Sequence, residues 1–261
     1  MTLSVDWHGQ GLTALPASLW DHTRLERLYL YENALTELPS EIGQLRALIT
    51  LDVKANPIQA LPESLGALVN LQYLYAHEMQ LTALPASLEQ LAALRYLNVS
   101  QNALDSFPES LGGLNALHEL RAVGNRLSAL PQSIGGLGGL RELHLQANAL
   151  DALPDSIGQL GRLRKLFLRG NRLTALPEAM QGLGALTELD LRDNHLAELP
   201  AWVGQLSALQ ELDLRSNRLT ALPLLLASLP NLHKLDLRWN PLAELPVWIH
   251  EFEARGGTLF V

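Results

Sequence analysis

Hydrophobic positions recur along this chain in a frame of 23 residues that never slips. Each copy reads Leu-x-x-Leu-x-Leu-x-x-Asn-x-Leu-x-x-Leu-Pro and continues with a link such as Ser-Glu-Ile-Gly-Gln-Leu-Arg-Ala. A period of this length indicates a solenoid, in which each unit buries its apolar face only against its neighbours. The full copies open on Leu25, Leu48, Leu71, Leu94, Leu117, Leu140, Leu163, Leu186, Leu209 and Leu232.

A single copy predicts a strand, a corner and a short helical turn. Alternation over residues 25–30 predicts a strand in which Leu28 and Leu30 point inward. The amide of Asn33, at the corner, can both donate to and accept from buried backbone groups. Leu-Pro begins the return, where the spacing of Ile42 and Leu45 fits one helical or 3₁₀ turn. We therefore predict an α/β solenoid, a curved rod with a concave parallel β-sheet and short helical or 3₁₀ turns on its convex side.

The repeated phrase resembles the leucine-rich repeat. The linker form Leu-Pro-x-x-Ile-Gly-x-Leu-x-x-Leu is similar to the intracellular Ras-suppressor-like class, which plant and many bacterial repeat proteins share. This resemblance covers nearly the whole chain and implies that the domain is a protein-binding scaffold. We expect a single leucine-rich repeat domain over 1–261, with an N-terminal partial repeat or cap over 1–24, repeats over 25–246 and a C-terminal cap over 247–261.

Charge and cysteine content narrow the function classes. The net charge of −8 argues against a nucleic-acid partner, which normally meets a basic stripe. The absence of cysteine favours a reducing compartment. The N-terminus does not resemble a secretory signal, and no apolar run is long enough for membrane insertion. Arginine outnumbers lysine, and alanine and leucine are abundant, which indicates a bacterial source. We expect a cytoplasmic protein, in the bacterial cytosol or in host cytosol if it is translocated.

Residues between the inward leucines form columns on the concave face, and every tyrosine of the chain falls there, within the first four full repeats. Tyrosine offers a large amphipathic contact area at low entropic cost and is enriched at binding hot spots. Strands favour aromatics in general, yet the C-terminal strands show no such bias. The candidate partner-binding residues are Tyr29, Tyr31, Tyr73, Tyr75, His77, Tyr96, Asn98, Arg121, His144 and Phe167.

The C-terminal columns are charged instead of aromatic. Repeated Leu-Asp-Leu-Arg predicts a ladder that neutralises itself, and the alternative is an acidic-ligand or phosphoprotein site on its arginines. Glu119 and Glu142 stand side by side as like charges, offset by Arg121 and Arg141 or available to a cation or a basic partner residue. The ladder consists of Asp190, Asp213 and Asp236 with Arg192, Arg215 and Arg238.

The frame breaks at the third corner, where Met79 replaces the asparagine and Ala76 replaces the second inward leucine. A thioether cannot donate, so we expect an unpaired backbone group there, with flexible Met79 filling the space beside Ala76. The alternative is a local distortion that shapes the tyrosine-bearing strands.

A second break lies on the convex side. The position two after proline is mostly serine, and we expect those serines to cap the helical turns. In the last three units, large apolar side chains replace them and form either a second interface, with another copy or a partner, or a C-terminal cap folded onto the turns. These residues are Trp202, Leu225 and Trp248.

No catalytic or cofactor constellation is recognisable. The histidines lack metal-site spacing, and no nucleophile elbow or phosphate loop occurs. We therefore predict a non-enzyme without cofactor or metal: a non-catalytic protein-binding scaffold that uses the concave face and whose protein partner is unidentified. The alternatives are a self-assembling structural module, pairing as a homodimer through an end or the convex patch, and a host-directed bacterial effector or substrate-recruiting domain of a larger enzyme.

Overall fold

The computed structural model describes residues 3–261, so Met1 and Thr2, where the predicted domain begins, lie outside it. The described residues form one sheet of twelve parallel strands that follow each other in chain order. Each strand is three residues long and lies within its predicted alternating segment, which spans six residues in the copy 25–30. The strands are β1 Ser4–Asp6, β2 Arg27–Tyr29, β3 Thr50–Asp52, β4 Tyr73–Tyr75, β5 Tyr96–Asn98, β6 Glu119–Arg121, β7 Glu142–His144, β8 Lys165–Phe167, β9 Glu188–Asp190, β10 Glu211–Asp213, β11 Lys234–Asp236 and β12 Thr258–Phe260.

The convex side is built from 3₁₀ turns, one in each repeat, and ends in a short α-helix, α1 Trp248–Ala254. Each turn begins directly after a proline in extended conformation, because proline has a fixed φ and no N–H that would need a partner. Within residues 3–261 no helix is long and apolar enough to cross a membrane. The turns are Ala17–Asp21, Ser40–Gln44, Glu63–Ala67, Ala86–Gln90, Glu109–Gly113, Gln132–Gly136, Asp155–Gln159, Glu178–Gly182, Ala201–Gln205 and Leu224–Ser228.

From β1 to β11 the register pairs each residue with its equivalent 23 positions later, as Arg27 with Thr50 and Leu28 with Leu51, and the last pair, β11 with β12, is offset by 24. The inward leucines therefore stack into continuous rows, and Leu28 and Leu30 are fully buried, as predicted. Burial of one such side chain stabilises the fold by about 1.5–3 kcal/mol, and each row is completed only by the next repeat.

Both ends of the sheet are covered by other parts of the chain. At the N-terminal end, Trp7 is half-buried against the core, and its N–H donates to the Tyr29 carbonyl. At the C-terminal end, Phe252 of α1 is 1% exposed, and the chain turns at Gly256, where φ is +89°. β12 then pairs with β11, so the last repeat is covered by a strand as well as by the helix.

At every corner of the full repeats except the third, an asparagine links backbone groups of its own repeat to those of the preceding one. The Nδ2 group of Asn56 donates to the Leu30 carbonyl of the preceding repeat at 2.9 Å and to the Val53 carbonyl of its own repeat at 3.0 Å. Its Oδ1 accepts from the Leu35 N–H at 3.0 Å. The predicted double role of this amide is confirmed, and the bonds it makes run between repeats as well as within one.

The residue before each asparagine lies in the left-handed region, with φ of 57° at Glu32 and 62° at Trp239. Only glycine adopts this conformation without strain, and a bulky residue such as tryptophan rarely does. The corner is therefore held by its hydrogen bonds and by packing, since the residue types at most of these positions do not favour it.

The convex serines do not cap the turns, and that expectation is wrong. The turns have no side-chain cap, and the hydroxyls of Ser64, Ser87 and Ser133 are buried without a hydrogen-bond partner. Their function is steric: a Cβ at Gly112 would lie 2.7 Å from the Ser133 Cβ. Successive turns pack this closely because glycine and serine are small.

Trp202 and Trp248 are buried, with 7% and 6% exposure, so the expectation that they present an interface is wrong for these two residues. They fold inward as the alternative cap predicts. The Glu178–Gly182 and Ala201–Gln205 turns also pack less closely than most neighbouring turns, which leaves room for the Trp202 indole. Leu225 remains at the surface at 44% exposure.

The third corner keeps its backbone shape without its asparagine. Glu78 has φ of 55°, like its equivalents, and Met79 is buried at 8% exposure beside the fully buried Ala76. In the other repeats the N–H two residues past an asparagine donates to the next asparagine Oδ1, as Leu35 does to Asn56 at 3.0 Å. At the third corner the equivalent donor is the Ile58 N–H, two residues past Asn56. Its acceptor would be an asparagine Oδ1 at position 79, where the Met79 side chain stands instead.

Restoring the asparagine should therefore stabilise the fold. We expect Met79→Asn to raise the free energy of unfolding by about 1 kcal/mol, because the new hydrogen bonds outweigh the lost thioether packing. Urea unfolding followed by circular dichroism measures this change. The matched reverse substitution, Asn102→Met, should lower the free energy of unfolding by about 3 kcal/mol. A less stable Met79→Asn variant would contradict this account of the corner.

Candidate functional site

The parallel register brings the tyrosines together on strands β2, β4 and β5 and the segment after β2. We call this set the tyrosine surface: Tyr29, Tyr31, Tyr73, Tyr75 and Tyr96. Tyr73 lies directly opposite Tyr96 in the register, and Tyr75 lies opposite Asn98. Tyr73 is 37% exposed, and the other four are half-buried, so each ring keeps an accessible part.

The rings of Tyr75 and Tyr96 pack on each other. Their centroids are 5.0 Å apart, with an interplanar angle of 40°. Burial raises the pKa of both phenols, which keeps them protonated and able to donate a hydrogen bond at neutral pH. Packed aromatic side chains lose little further entropy when a partner binds, so this pair is a pre-organised contact.

Tyr31 is held between groups from the repeats on either side. The His8 ring stacks on it with centroids 4.7 Å apart, and Lys54 Nζ lies 4.4 Å from the ring centroid. Lys54 also pairs with Asp52 at 3.3 Å. This ring is thus fixed by a stacking contact and a cation–π contact.

A groove runs over β3, with a volume of about 480 Å³. It forms because Thr50 is small and Asp52 is tucked down at 5% exposure, while aromatic side chains rise on both sides. Burial raises the Asp52 pKa, against the opposing effect of the Lys54 N–H and ammonium. The groove is lined by Arg27, Tyr29, Ile49, Thr50, Asp52, Lys54, Tyr73 and Tyr75.

The remaining predicted residues differ in accessibility. His77 is half-buried, and its Nδ1 has no hydrogen-bond partner, while Asn98 Oδ1 accepts the Ser100 N–H at 3.0 Å. His144 is only 8% exposed, so the expectation that it extends the contact surface is wrong. It lies under the sheet's side chains, stacked on Phe167 with centroids 4.7 Å apart.

Charges between the two halves of the sheet are paired. Arg121 pairs with Glu119, and Lys165 Nζ lies 3.8 Å from Glu142 Oε1. Arg141, which we expected to offset these carboxylates, makes no ion pair within residues 3–261; Lys165 takes that place. The offsetting charge therefore comes from the next strand of the sheet.

The C-terminal arginines behave as the self-neutralising ladder predicts. Arg215 Nε lies 2.9 Å from Asp213 Oδ1 and 3.2 Å from Asp236 Oδ2. Arg238 Nε donates to Asp236 Oδ1 at 3.0 Å. Each of these guanidinium groups is occupied by carboxylates of its own or the next repeat, which leaves little charge for an acidic ligand.

One recess was not foreseen from the sequence. It lies beside β7–β9, has a volume of about 490 Å³ and is lined in part by Gln146, Arg169 and Arg192. Gln146 Oε1 and Arg192 Nε are buried there without hydrogen-bond partners. The small residues Ala147 and Gly170 at two corners open this space, and they were the only sequence signal for it.

The chain belongs to the leucine-rich repeat family. The family described as "Leucine-rich repeat region" matches residues 16–122 and 84–190. "Leucine Rich Repeat" matches 185–206, and "Leucine Rich repeats (2 copies)" matches 207–250. The resemblance seen in the repeated phrase is confirmed, and so are the concave parallel sheet and the 3₁₀ turns.

Two solved structures of similar fold come from longer chains. A leucine-rich repeat protein of Leptospira interrogans is 35% identical with a TM-score of 0.89, over 96% of this chain and 63% of that one. A plant peptide hormone receptor, RGFR1, in complex with RGF2, is 26% identical with a TM-score of 0.74, over 99% of this chain and 47% of that one.

Among curated proteins, the CCR4-Not complex 3'-5'-exoribonuclease subunit of Aspergillus niger is 54% identical over 48 residues. That segment is 18% of this chain and 7% of the exoribonuclease subunit. The chain thus matches a small part of that relative, and the likeness is confined to leucine-rich repeats.

Neutralising the groove carboxyl should stabilise the protein in a pH-dependent way. The folded-state pKa of Asp52 is raised above 3.8, so its ionisation lowers stability as the pH rises through the folded value. Asp52→Asn, which keeps an acceptor for the Lys54 N–H, should be more stable than wild type at pH 7. We expect the gain to shrink towards pH 3.8 and below.

The test is the urea midpoint of unfolding, measured for wild type and Asp52→Asn from below pH 3.8 to pH 7. Asp151→Asn, at an exposed position, is the matched control and should change little at any pH. A stability gain from Asp52→Asn that is the same at both ends of the range would contradict the assigned effect of burial.

Proposed function

We propose that this protein is a non-catalytic scaffold that binds a protein partner through the concave face of its N-terminal repeats. The single observation that carries the proposal is the tyrosine surface, with its packed Tyr75–Tyr96 pair at a ring separation of 5.0 Å. Leucine-rich repeat folds generally act as binding scaffolds, and a smooth sheet face offers a partner broad contact instead of a walled pocket.

The energetics favour a partner over a structural role for these side chains. The core is closed by the leucine rows beneath, and exposed aromatic area such as that of Tyr73 gains little from folding alone. When a partner covers such rings, the buried area contributes to affinity at small entropic cost. Thr50 and Asp52 leave a groove between the rings that can admit a protruding side chain of that partner.

We place this activity in a reducing compartment, the cytosol of a bacterium, because the chain has no cysteine and its composition favours arginine over lysine. Delivery into a host cell as an effector, or recruitment of substrates for a larger enzyme, would use the same concave face. Neither nucleic acid nor membrane insertion is needed for the function proposed here.

Replacing the central rings tests the proposal. The triple variant Tyr73→Ala, Tyr75→Ala and Tyr96→Ala should lose at least about a hundredfold in affinity, because hot-spot residues commonly contribute about 2 kcal/mol or more each. Affinity capture from native cytosol with wild-type protein, followed by calorimetry on the captured partner, measures the loss.

The matched control is Glu211→Ala with Lys234→Ala, an exposed ion pair of 2.7 Å on the C-terminal concave face. This control should bind like wild type, and circular dichroism should show that both variants stay folded. Equal binding by the folded tyrosine variant would reject the N-terminal face as the site.

A second function, self-association, is favoured by one observation. Leu224, Leu225 and Val247 are 74%, 44% and 82% exposed at the C-terminal convex side, and Leu224 and Val247 occupy equivalent positions of neighbouring repeats. Exposed leucine and valine side chains grouped in this way are typical of an interface. We propose that a second copy pairs here, with Trp202 and Trp248 supporting the turns from below.

Charge placed on this patch should abolish such pairing. Leu224→Glu with Val247→Glu should sediment as a monomer at concentrations where the wild-type protein is a dimer. Val69→Glu, at a 50% exposed valine of another repeat, is the control and should leave the dimer intact. A wild-type mass that stays monomeric at every concentration would reject self-association.

A further inference from the structure

The sheet brings two carboxylates and one imidazole to a single point between β6 and β7. Glu119 and Glu142 occupy equivalent positions of neighbouring strands, and His144 stands two residues further along β7. Each offers one ligand atom, and these atoms all lie within 4.8 Å of one another. Histidine spacing along the chain gave no sign of this set, because its members come from separate copies of the repeat.

We propose that Glu119, Glu142 and His144 form a binding site for a divalent transition-metal ion such as Zn²⁺. Imidazole nitrogen and carboxylate oxygen are ligands that this class of ion prefers, and three protein ligands leave one position open towards the concave face.

The distances suit such an ion. His144 Nε2 lies 3.2 Å from Glu142 Oε2 and 3.8 Å from Glu119 Oε1. Tetrahedral coordination with bonds of about 2.0–2.2 Å separates neighbouring ligand atoms by roughly 3.3–3.6 Å. Small rotations of the two glutamate side chains therefore bring all three atoms into place.

The imidazole is fixed and available as a ligand. His144 is 8% exposed, is held by its stacking on Phe167, and directs Nε2 between the two carboxylates. The same Nε2 atom is within hydrogen-bond distance of Glu142 Oε2, at 3.2 Å, and a metal ion would replace that hydrogen bond.

Two cations compete with the metal for these carboxylates. Arg121 pairs with Glu119, and Lys165 lies 3.8 Å from Glu142, but their side chains are 41% and 42% exposed. Both can turn into solvent when a divalent ion arrives, while the three ligands remain on the rigid sheet. Because Arg121 competes with the metal ion for Glu119, we expect removal of Arg121 to strengthen metal binding.

Calorimetric titration of the full chain with ZnCl₂, without any protein partner, tests the site. We expect saturable binding of one ion per chain and, with Co²⁺ as the probe, the intense visible absorption of a tetrahedral site. His144→Gln and Glu142→Gln should each weaken Zn²⁺ affinity by about tenfold or more, and Arg121→Ala should increase it severalfold. The control His233→Ala, at an exposed histidine of β11's flank, should bind Zn²⁺ like wild type.

Circular dichroism establishes that the variants are folded, and the two ligand variants give independent readings if one of them is not. Absence of saturable Zn²⁺ binding to wild type overturns the proposal, as does unchanged affinity in a folded ligand variant. Weaker binding by Arg121→Ala would overturn the competition between guanidinium and metal. These outcomes are separate from partner capture by the tyrosine surface, because no partner is present.

Discussion

The asparagine amide found at every full-repeat corner but the third is the interaction on which the rest of this structure depends. Every strand is three residues long and must turn at once, which leaves buried carbonyl and N–H groups that nothing else in the repeat can satisfy. The Asn56 amide bonds the Leu30 and Val53 carbonyls and the Leu35 N–H. Because these bonds join neighbouring repeats, one residue type sets both the shape of the corner and the stacking of the solenoid.

A fixed stacking distance has a direct effect on the surface. Equivalent side chains of neighbouring repeats stand about 4.8 Å apart on the sheet, the spacing of hydrogen-bonded strands. Contacts on the concave face therefore join residues one repeat apart, such as His8 with Tyr31, or on a short diagonal, such as Tyr75 with Tyr96. Others join residues two apart in one repeat, such as Arg215 with Asp213. A site on the concave face is therefore formed by the residue types that occupy neighbouring positions in adjacent columns.

The leucine period was sufficient to predict the sheet and its inward side chains, because burial at those positions is imposed on every copy. It could not predict how deep a non-consensus side chain would lie. For Trp202 and Trp248 the frame left both an interface and a cap open, and the structure buries them. His144 shares its column mostly with half-buried residues, yet it is only 8% exposed, with its ring stacked on Phe167.

The prediction that the convex serines cap the turns was wrong for a related reason. A hydroxyl next to a helical turn usually signals a cap, but here the neighbouring repeat lies so close that size matters more than hydrogen bonding. A Cβ at Gly43 would meet the Ser64 carbonyl oxygen at 2.7 Å. These steric constraints act between neighbouring repeats, so they cannot be recognised in the sequence of a single repeat.

Variation along the concave columns then distinguishes side chains that serve the fold from side chains that serve binding. In the C-terminal half, concave side chains satisfy each other, as Arg215 does with Asp213 and Asp236, and this arrangement needs no partner. In the N-terminal half, Tyr73 keeps 37% of its surface exposed although the same register would accept a polar pair. An aromatic ring left partly in water contributes least to the isolated fold and most to a complex, which is why the departure from the charged framework marks the binding face.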